Sequence, residues 1–444
     1  MTRSVIWQTR SAAAIIDLLV IGAGPAGIAC AVRAAESGSR VLIVDRAAGP
    51  GGQIWRHSPG ATPPAIARKW LRRLTRSSAG FAGGTAIVDV QRSGNGFTVM
   101  MDSSGAPSSV QVERIVLATG ARERFIPFEG WTLPGVMGIG GAQALYKSGA
   151  SFRGLRVAIA GSGPLMLPVA ASMRGAGANV VMLAEQAERR TINRFAAGLV
   201  RTPSVLLQAI GYRARLHGVR YSAGTWVTGA TGTRVLESVS VTDGEHRREI
   251  EADILCTGYG LVPNVEIARL IGCNMADGAV AVNERQETSE AGVFAAGEST
   301  GIGGAAMSLA EGEIAGYAAS GATIPAPLLS IMVRHARAAT TMRAAFALRP
   351  ELRSITTPST IVCRCEDVKY ESVRAIATTR QAKLRTRAGM GPCQGRTCMP
   401  SLDFLLGWSE DSVRPPVEPT TLRNLLSAGV IDSGSFPLPE VPRT

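Results

Sequence analysis

Aromatic residues are scarce, at 5% of 444 positions. The 47 Lys and Arg outnumber the 34 Asp and Glu, for a formal net charge of +13, but the cations are dispersed and no aromatics alternate with them. Proteins that grip nucleic acid combine basic grooves or stripes with stacking rings. Nucleic acid is therefore not an expected ligand, and an acidic protein or an anionic cofactor suits the charge better. Histidine is rarer still: His57, His217, His246 and His335 show no metal-ligand spacing. An uninterrupted apolar run is also missing. Ala12 to Val32 is largely apolar, but Asp17 breaks it and Gly22, Gly24, Pro25 and Gly27 lie inside it. A spanning helix needs about 20 apolar residues without such a break. With no charged n-region and apolar h-region ahead of a small-residue cleavage site, the expectation is a soluble, cytoplasmic chain without a membrane span. Cys30, Cys256 and Cys273 form no CxxC or CxxxxC pair, which argues against dithiol redox chemistry. Cys30 reads as a small core residue.

What is present points elsewhere. The length suits two or three domains, and 45% hydrophobic with 18% charged residues describes a globular chain. The 51 glycines cluster at turns that end apolar runs, as phosphate-cradling loops require.

Ile15 to Ile21 reads as a buried parallel strand. Gly22-Ala23-Gly24-Pro25-Ala26-Gly27 follows, then a helix from Ala26 to Ser37 and a strand from Arg40 to Val44, closed by Asp45. This is a GxGxxG turn in its full βαβ context. Gly22 makes the turn, Gly24 lets the backbone approach a pyrophosphate, and Gly27 lets helix and strand pack. The pyrophosphate would lie at the helix N-terminus, and Asp45 would accept from ribose hydroxyls.

A second copy starts at the strand Leu155 to Ala160, with Gly161-Ser162-Gly163-Pro164-Leu165-Met166, a helix, and a strand Asn179 to Ala184 ending at Glu185. Met166 replaces the third glycine and should narrow the phosphate site. The expectation is a scaffold that binds no nicotinamide. Glu185 leaves an adenine nucleotide without a redox role open.

Cys363-Arg364-Cys365 and Cys393-Gln394-Gly395-Arg396-Thr397-Cys398 give the spacing C-x-C, 27 residues, C-x4-C. Four thiolates at this spacing suit Zn²⁺ or an iron–sulfur cluster, and a C-x-C pair is tight for tetrahedral zinc. Between them, Tyr370 to Thr379 reads as helical and Gly389-Met390-Gly391-Pro392 as a turn.

Two further strands, Glu113 to Gly120 ending in Ala-Thr-Gly and Val293 to Glu298 ending in Gly-Glu, complete a pattern that resembles the two-dinucleotide-domain flavoproteins of the glutathione reductase type. That resemblance implies FAD on the first fold. It gives Glu298, in place of the usual Asp, a ribityl contact. The helix Ala305 to Ala315, opened by Gly301 to Gly304, would turn its N-terminus to the flavin pyrimidine. The loop after Asp45, Gly51-Gly52-Gln53-Ile54-Trp55, lacks the cysteines of disulfide reductases. The cysteine segment resembles the bacterioferritin-associated ferredoxin-like [2Fe–2S] domain. With Ala118-Thr119-Gly120-Ala121-Arg122-Glu123-Arg124 and Gly130-Trp131-Thr132-Leu133-Pro134-Gly135-Val136, the chain from about Asp17 to Pro416 resembles the α subunits of heteromeric flavin dehydrogenases. These include opine oxidases, D-hydroxyproline dehydrogenase, hydrogen cyanide synthase and L-proline dehydrogenase.

The resemblance implies FAD contacts at Gly22, Gly24, Pro25, Ala26, Gly27, Asp45, Arg46, Gly52, Gln53, Val90, Ala118, Thr119, Gly120, Gly297, Glu298, Gly304 and Ala305. It implies cluster ligands at Cys363, Cys365, Cys393 and Cys398, and no catalytic residue on this chain. It further implies a catalytic FAD-containing β subunit that oxidises a C–N bond of an amino acid, imino acid or opine. It also admits a small ferredoxin-like third subunit and an interface FMN, to which no residues are assigned. The expected α/β architecture is an FAD domain at 14–150 and 280–325 and a second Rossmann-like domain at 151–279. A linker at 326–360, a [2Fe–2S] domain at 361–405 and a Pro-rich tail at 406–444 complete it. The expected role is electron relay; the rival is a self-contained NAD(P)H-dependent reductase, and a scaffold without redox function is the third reading.

Overall fold

The computed structural model describes residues 16–56, 62–103, 106–201, 203–408 and 413–427. His57, residues 14–15 of the expected FAD domain and the prolines from Pro437 to Pro442 lie outside them. Among the described residues, no helix is long and apolar enough to cross a membrane.

The first sheet has parallel neighbours in the order Gly80–Gly83, Val41–Asp45, Ile16–Ile21 and Ala106–Leu117. Leu19, Val20 and Ile21 stand opposite Ile115, Val116 and Leu117. The last of these strands also pairs with Val293–Ala295 in parallel and with Gly96–Ser103 in an antiparallel meander. Continuous apolar runs form the central strands because helices cover one face and the meander the other. Helix Pro25–Glu36 lies against helix Gly304–Ala319. Their backbones almost touch: a Cβ on Gly312 would stand 2.1 Å from the Ala26 carbonyl oxygen, and one on Gly316 would stand 2.5 Å from that of Cys30. Only small residues permit that approach.

The second sheet is fully parallel, in the order Arg220–Ala223, Asn179–Glu185, Arg156–Gly161, Ile254–Gly258, Val136–Gly138. A three-stranded antiparallel layer, Trp226–Thr231, Ser238–Thr242 and Arg247–Glu251, accompanies it. The two halves join through the paired strands Ala121–Glu123 and Leu261–Pro263. The domain border therefore falls near 121 and 263, not at 150 and 279. Val136–Gly138 needs the second sheet for its hydrogen bonds, whereas Val265 and Ala268 bury themselves in the core of the first.

Two other expectations are corrected. The span 326–360 holds a helix, Ala326–Ala345, and a 3₁₀ turn, Pro350–Ile355. Tyr370 to Thr379 is not one helix. A 3₁₀ turn covers Tyr370–Ser372, and the α-helix is Thr379–Thr386, capped by the Thr378 side chain accepting from Gln381 N at 3.2 Å. Val373 and partly buried Ile376 are drawn into the small core of this module, beside Val362, Leu402 and Trp408. In the tail, Val417 donates its N–H to Val88 O at 3.0 Å, and Asp102 accepts from Thr420 Oγ1 at 2.7 Å and Asn424 Nδ2 at 2.6 Å. This part of the tail packs on the first domain.

Candidate functional site: an open dinucleotide turn beside four cysteines

The carboxyl ends of the first sheet gather Gly22, Asp45, Ala118 and Ala296, the usual place for a ligand in an open α/β sheet. Gly22 has φ +108°, and a Cβ there would stand 2.2 Å from Ala118 O; a Cβ on Gly27 would stand 1.8 Å from Gly22 O. These two glycines are demanded by packing. Gly24 is different. It precedes Pro25 at the helix start with an ordinary φ of −75°, and nothing lies within 4 Å of its Cβ position. That open space above free helix N–H groups is a cradle an anion can enter. Gly52, at φ +58°, backs onto Gly24 with 2.9 Å from its Cβ position to Gly24 Cα, and Gly297 backs onto the Ala26 Cβ at 2.8 Å.

Asp45 organises the rim. Its carboxylate accepts from Ala23 N at 2.6 Å and Ala47 N at 2.7 Å, and it remains part-exposed, with lone pairs left for a hydroxyl. Arg46 and Gln53 are exposed, and Arg46 pairs with Glu418 at 3.1 Å. Val90 is 7% exposed within the sheet core, with its N–H held by the Asp89 carboxylate. The Ala118-Thr119-Gly120 turn is stapled by Asn264, a residue the sequence did not single out. Thr119 Oγ1 donates to Asn264 O at 2.6 Å, Asn264 N donates to Gly120 O at 2.9 Å, and Asn264 Nδ2 donates to Thr119 O at 2.9 Å.

Glu298, in the 3₁₀ turn Gly297–Ser299, faces the start of helix Gly304–Ala319 at Gly304. Burial pushes its pKa up, against a hydrogen bond from the Gly304 N–H. Beneath it Glu311, 3% exposed, accepts from Gly297 N at 2.7 Å and Thr300 Oγ1 at 3.1 Å. Burial, with the charge of Glu298 adding to it, pushes Glu311 to about 7.

The residues 118–131 form a rail between this opening and the cysteines. Arg122 donates to Asn264 Oδ1 at 2.7 Å and to Arg396 O at 2.9 Å, and pairs with Glu266 at 2.7 Å. Glu123 accepts from Gly140 N at 2.6 Å and Gly141 N at 3.0 Å, at the start of helix Ile139–Lys147. Trp131 Nε1 donates to Ile361 O at 2.6 Å, and Ser401 Oγ to Phe125 O at 2.5 Å.

Cys363, Cys365, Cys393 and Cys398 all line one cavity of about 430 Å3, together with Phe125 and Trp131. Cys363 Sγ accepts from Gly389 N at 3.5 Å, and Cys398 Sγ lies 4.0 Å from Gly395 O. The Cys398 thiol and the Gly389 N–H hold Cys363 down at about 6. Gly391 leaves no room for a side chain, since its Cβ would stand 2.3 Å from that of Cys365. Among the described residues, no group of three or more His, Cys, Asp or Glu is arranged around a single metal ion. Cys30, Cys256 and Cys273 are buried, and burial pushes each thiol up, Cys256 to about 12.

The second turn is closed. Met166, 2% exposed, shares a core with Ile159, Val169 and Leu183, and so is not what fills the phosphate seat. Residues 346–349 cover the turn instead. Ser162 Oγ donates to Phe346 O at 2.8 Å, and the Phe346 ring lies 3.9 Å from the Cβ position of Gly163. Glu185, 1% exposed, accepts from Gly163 N and Ala187 N, each at 2.8 Å, and burial pushes it to about 7.

Residues 16–314 match the pyridine nucleotide-disulphide oxidoreductase family. An opine oxidase subunit of Rhizobium meliloti (strain 1021) is 32% identical over 91% of this chain and 97% of its own length. Hydrogen cyanide synthase subunit HcnB of Pseudomonas aeruginosa is 29% identical over 89% and 92%. The L-proline dehydrogenase structure from P. horikoshii shares the fold, with a TM-score of 0.66 at 19% identity, over 93% of this chain and 79% of that one.

Proposed function

The chain belongs to the pyridine nucleotide-disulphide oxidoreductase family and is an oxidoreductase, and from that premise we propose that it is the FAD- and [2Fe–2S]-containing relay subunit of a heteromeric dehydrogenase. Its partner, in this reading, is an FAD subunit that oxidises the C–N bond of an amino acid, imino acid or opine. One observation carries the proposal: a single rail, residues 118–131, meets the first turn at Ala118, whose carbonyl oxygen stands 2.2 Å from the Cβ position of Gly22, and lines the cysteine cavity at Phe125 and Trp131. Two relatives are themselves named as subunits, one of opine oxidase and one, HcnB, of hydrogen cyanide synthase, and this supports the subunit role.

The residues present suit both groups. Gly24 and the N-terminus at Pro25 and Ala26 would take a pyrophosphate, Asp45 with Arg46 the adenosine ribose, and Glu298 with Gly304 and Ala305 the ring end. Four thiols on one cavity offer a two-iron cluster two thiolates for each iron. FAD accepts electrons in pairs and releases them singly, and a [2Fe–2S] cluster carries them one at a time. The chain's own work is to hold these seats at fixed spacing: Arg122 ties the first domain to the cysteine loop, and Glu123 fixes the helix beside the cavity.

The test is co-purification with the products of neighbouring genes, followed by a screen of amino acids, imino acids and opines with an artificial electron acceptor. Amine-dependent reduction that needs both chains supports the reading. Rapid reduction of the single chain by NADH would overturn it in favour of the reductase.

A further inference from the structure

We propose that the second dinucleotide fold is occupied by its own chain: residues 346–349 lie where a dinucleotide's pyrophosphate and ribose would lie, and so exclude it. The inference concerns this domain alone and stands apart from the substrate assigned above.

The two halves of the chain supply their own control. In a GxGxxG turn the space above the second glycine receives the pyrophosphate. At Gly24 that space is open to beyond 4 Å, whereas at Gly163 the Phe346 ring lies at 3.9 Å. Ser162 Oγ reaches the Phe346 carbonyl at 2.8 Å, and Phe195 packs edge-on against Phe346 with ring centroids 5.1 Å apart.

The adenosine side is filled by the residues that follow. Gln186, immediately after the acidic residue of the fold, donates to Ala347 O at 3.0 Å and to Ser162 Oγ at 2.8 Å. It accepts from Arg349 N at 3.1 Å. The Arg349 guanidinium donates to Gln186 O at 3.3 Å and stacks over Trp226 at 4.1 Å. Glu185 is sealed beneath at 1% exposure, so ribose hydroxyls cannot reach it. Asp45, its counterpart, is part-exposed.

Covalent tethering makes this occupant hard to displace. A segment joined by a short connection acts at an effective concentration on the order of millimolar. A free dinucleotide competes with that, and with the hydrogen bonds to Ser162 and Gln186 that its entry would break. The consequence is structural: the second turn anchors the chain between helix Ala326–Ala345 and the cysteine module.

Calorimetric titration of the full chain with NADH and with ADP-ribose tests this. The native protein should give no binding heat with either. The double variant Phe346→Gly, Arg349→Ala should give a measurable binding heat with ADP-ribose, at an affinity at least about tenfold above the detection limit set by the native chain. Hydrogen exchange on the native chain gives a readout that does not depend on the variant's folding: amides at 161–163 and 346–349 should be protected and unchanged by ADP-ribose. Micromolar binding by the native chain, with loss of protection at 346–349, overturns the proposal. So does a variant that keeps its flavin and melting temperature but still binds neither ligand.

Discussion

The indole N–H of Trp131 donates to the carbonyl oxygen of Ile361 across 2.6 Å, and so fastens the cysteine module to the second domain two positions before Cys363. Trp131 is 4% exposed and also lines the cysteine cavity. Trp131→Phe leaves the half-buried Ile361 carbonyl without this donor, at a cost of about 0.5–1.5 kcal/mol. Trp131→Ala also opens a cavity and should cost about 3–5 kcal/mol. Both should retain flavin and lose iron and acid-labile sulfide to chelators faster than the native chain, as should Cys363→Ser. Iron and sulfide analysis of anaerobic protein decides the matter, and zinc without sulfide would refute the cluster.

The glycines of the first turn should separate folding from binding. The Cβ of Gly24→Val meets no atom within 4 Å and the residue keeps an allowed φ, so the chain should fold and melt within about 1 kcal/mol of native stability. It should nonetheless lose FAD, because the branched side chain fills the cradle. Gly27→Ala drives a methyl to 1.8 Å from Gly22 O and should damage the fold itself. Melting curves beside flavin absorbance check both. A Gly24→Val protein with stoichiometric FAD would sink the site assignment.

Much of this is legible in the sequence because each feature is local. Gly22, Gly24, Gly27 and Asp45 lie within one βαβ unit, and turn chemistry with strand periodicity sets their roles. What cannot be read there depends on contacts between distant residues. Asn264 staples Thr119 and Gly120 from 145 positions away, and Phe346 covers Ser162 from 184. Met166 reads as the obstruction because its position is diagnostic, but a side chain at a helix start can turn into the core. The domain border escapes the sequence for a similar reason: Val136–Gly138 is too short to announce which sheet it completes.

Buried Glu311 should make stability fall as pH rises. Its pKa goes from an ordinary 4.5 to about 7 in the fold. The proton is held more tightly by the folded chain, so the contribution is complete below pH 4.5 and is lost as pH climbs through 7. The full swing is on the order of 3 kcal/mol. Glu311→Gln keeps a carbonyl oxygen for the Gly297 N–H and removes the titration. In flavin-free protein, the melting temperature of this variant should gain on that of the native chain between pH 5 and 8. A constant difference across that range would refute the assignment.

Amine oxidation should be absent from this chain by itself. Hydride abstraction from an amino acid needs a carboxylate anchor, usually an arginine, held close to the flavin with room for the substrate. Arg56, Arg122 and Arg124 are the arginines in the segments around the proposed flavin, and the fold ties Arg122 to other partners. Arg122 is spent on Glu266, Asn264 and the Arg396 carbonyl. Burial lowers the pKa of Arg124, with Asp403 opposing, and its Nε is sealed from solvent without a hydrogen-bond partner. Releasing Arg122 to a substrate would also release the cysteine loop from the first domain, so anchoring and relay cannot be combined in that residue. The purified chain, loaded with FAD, should therefore show no bleaching with any amino acid, imino acid or opine under anaerobic conditions. Adding the partner subunit should restore it. Arg122→Lys keeps the charge but cannot reach all three partners at once. In the complex it should slow electron delivery to an artificial acceptor by about tenfold or more while leaving substrate KM unchanged, since binding lies elsewhere. A raised KM with normal turnover would place the substrate on this chain and overturn the division of labour.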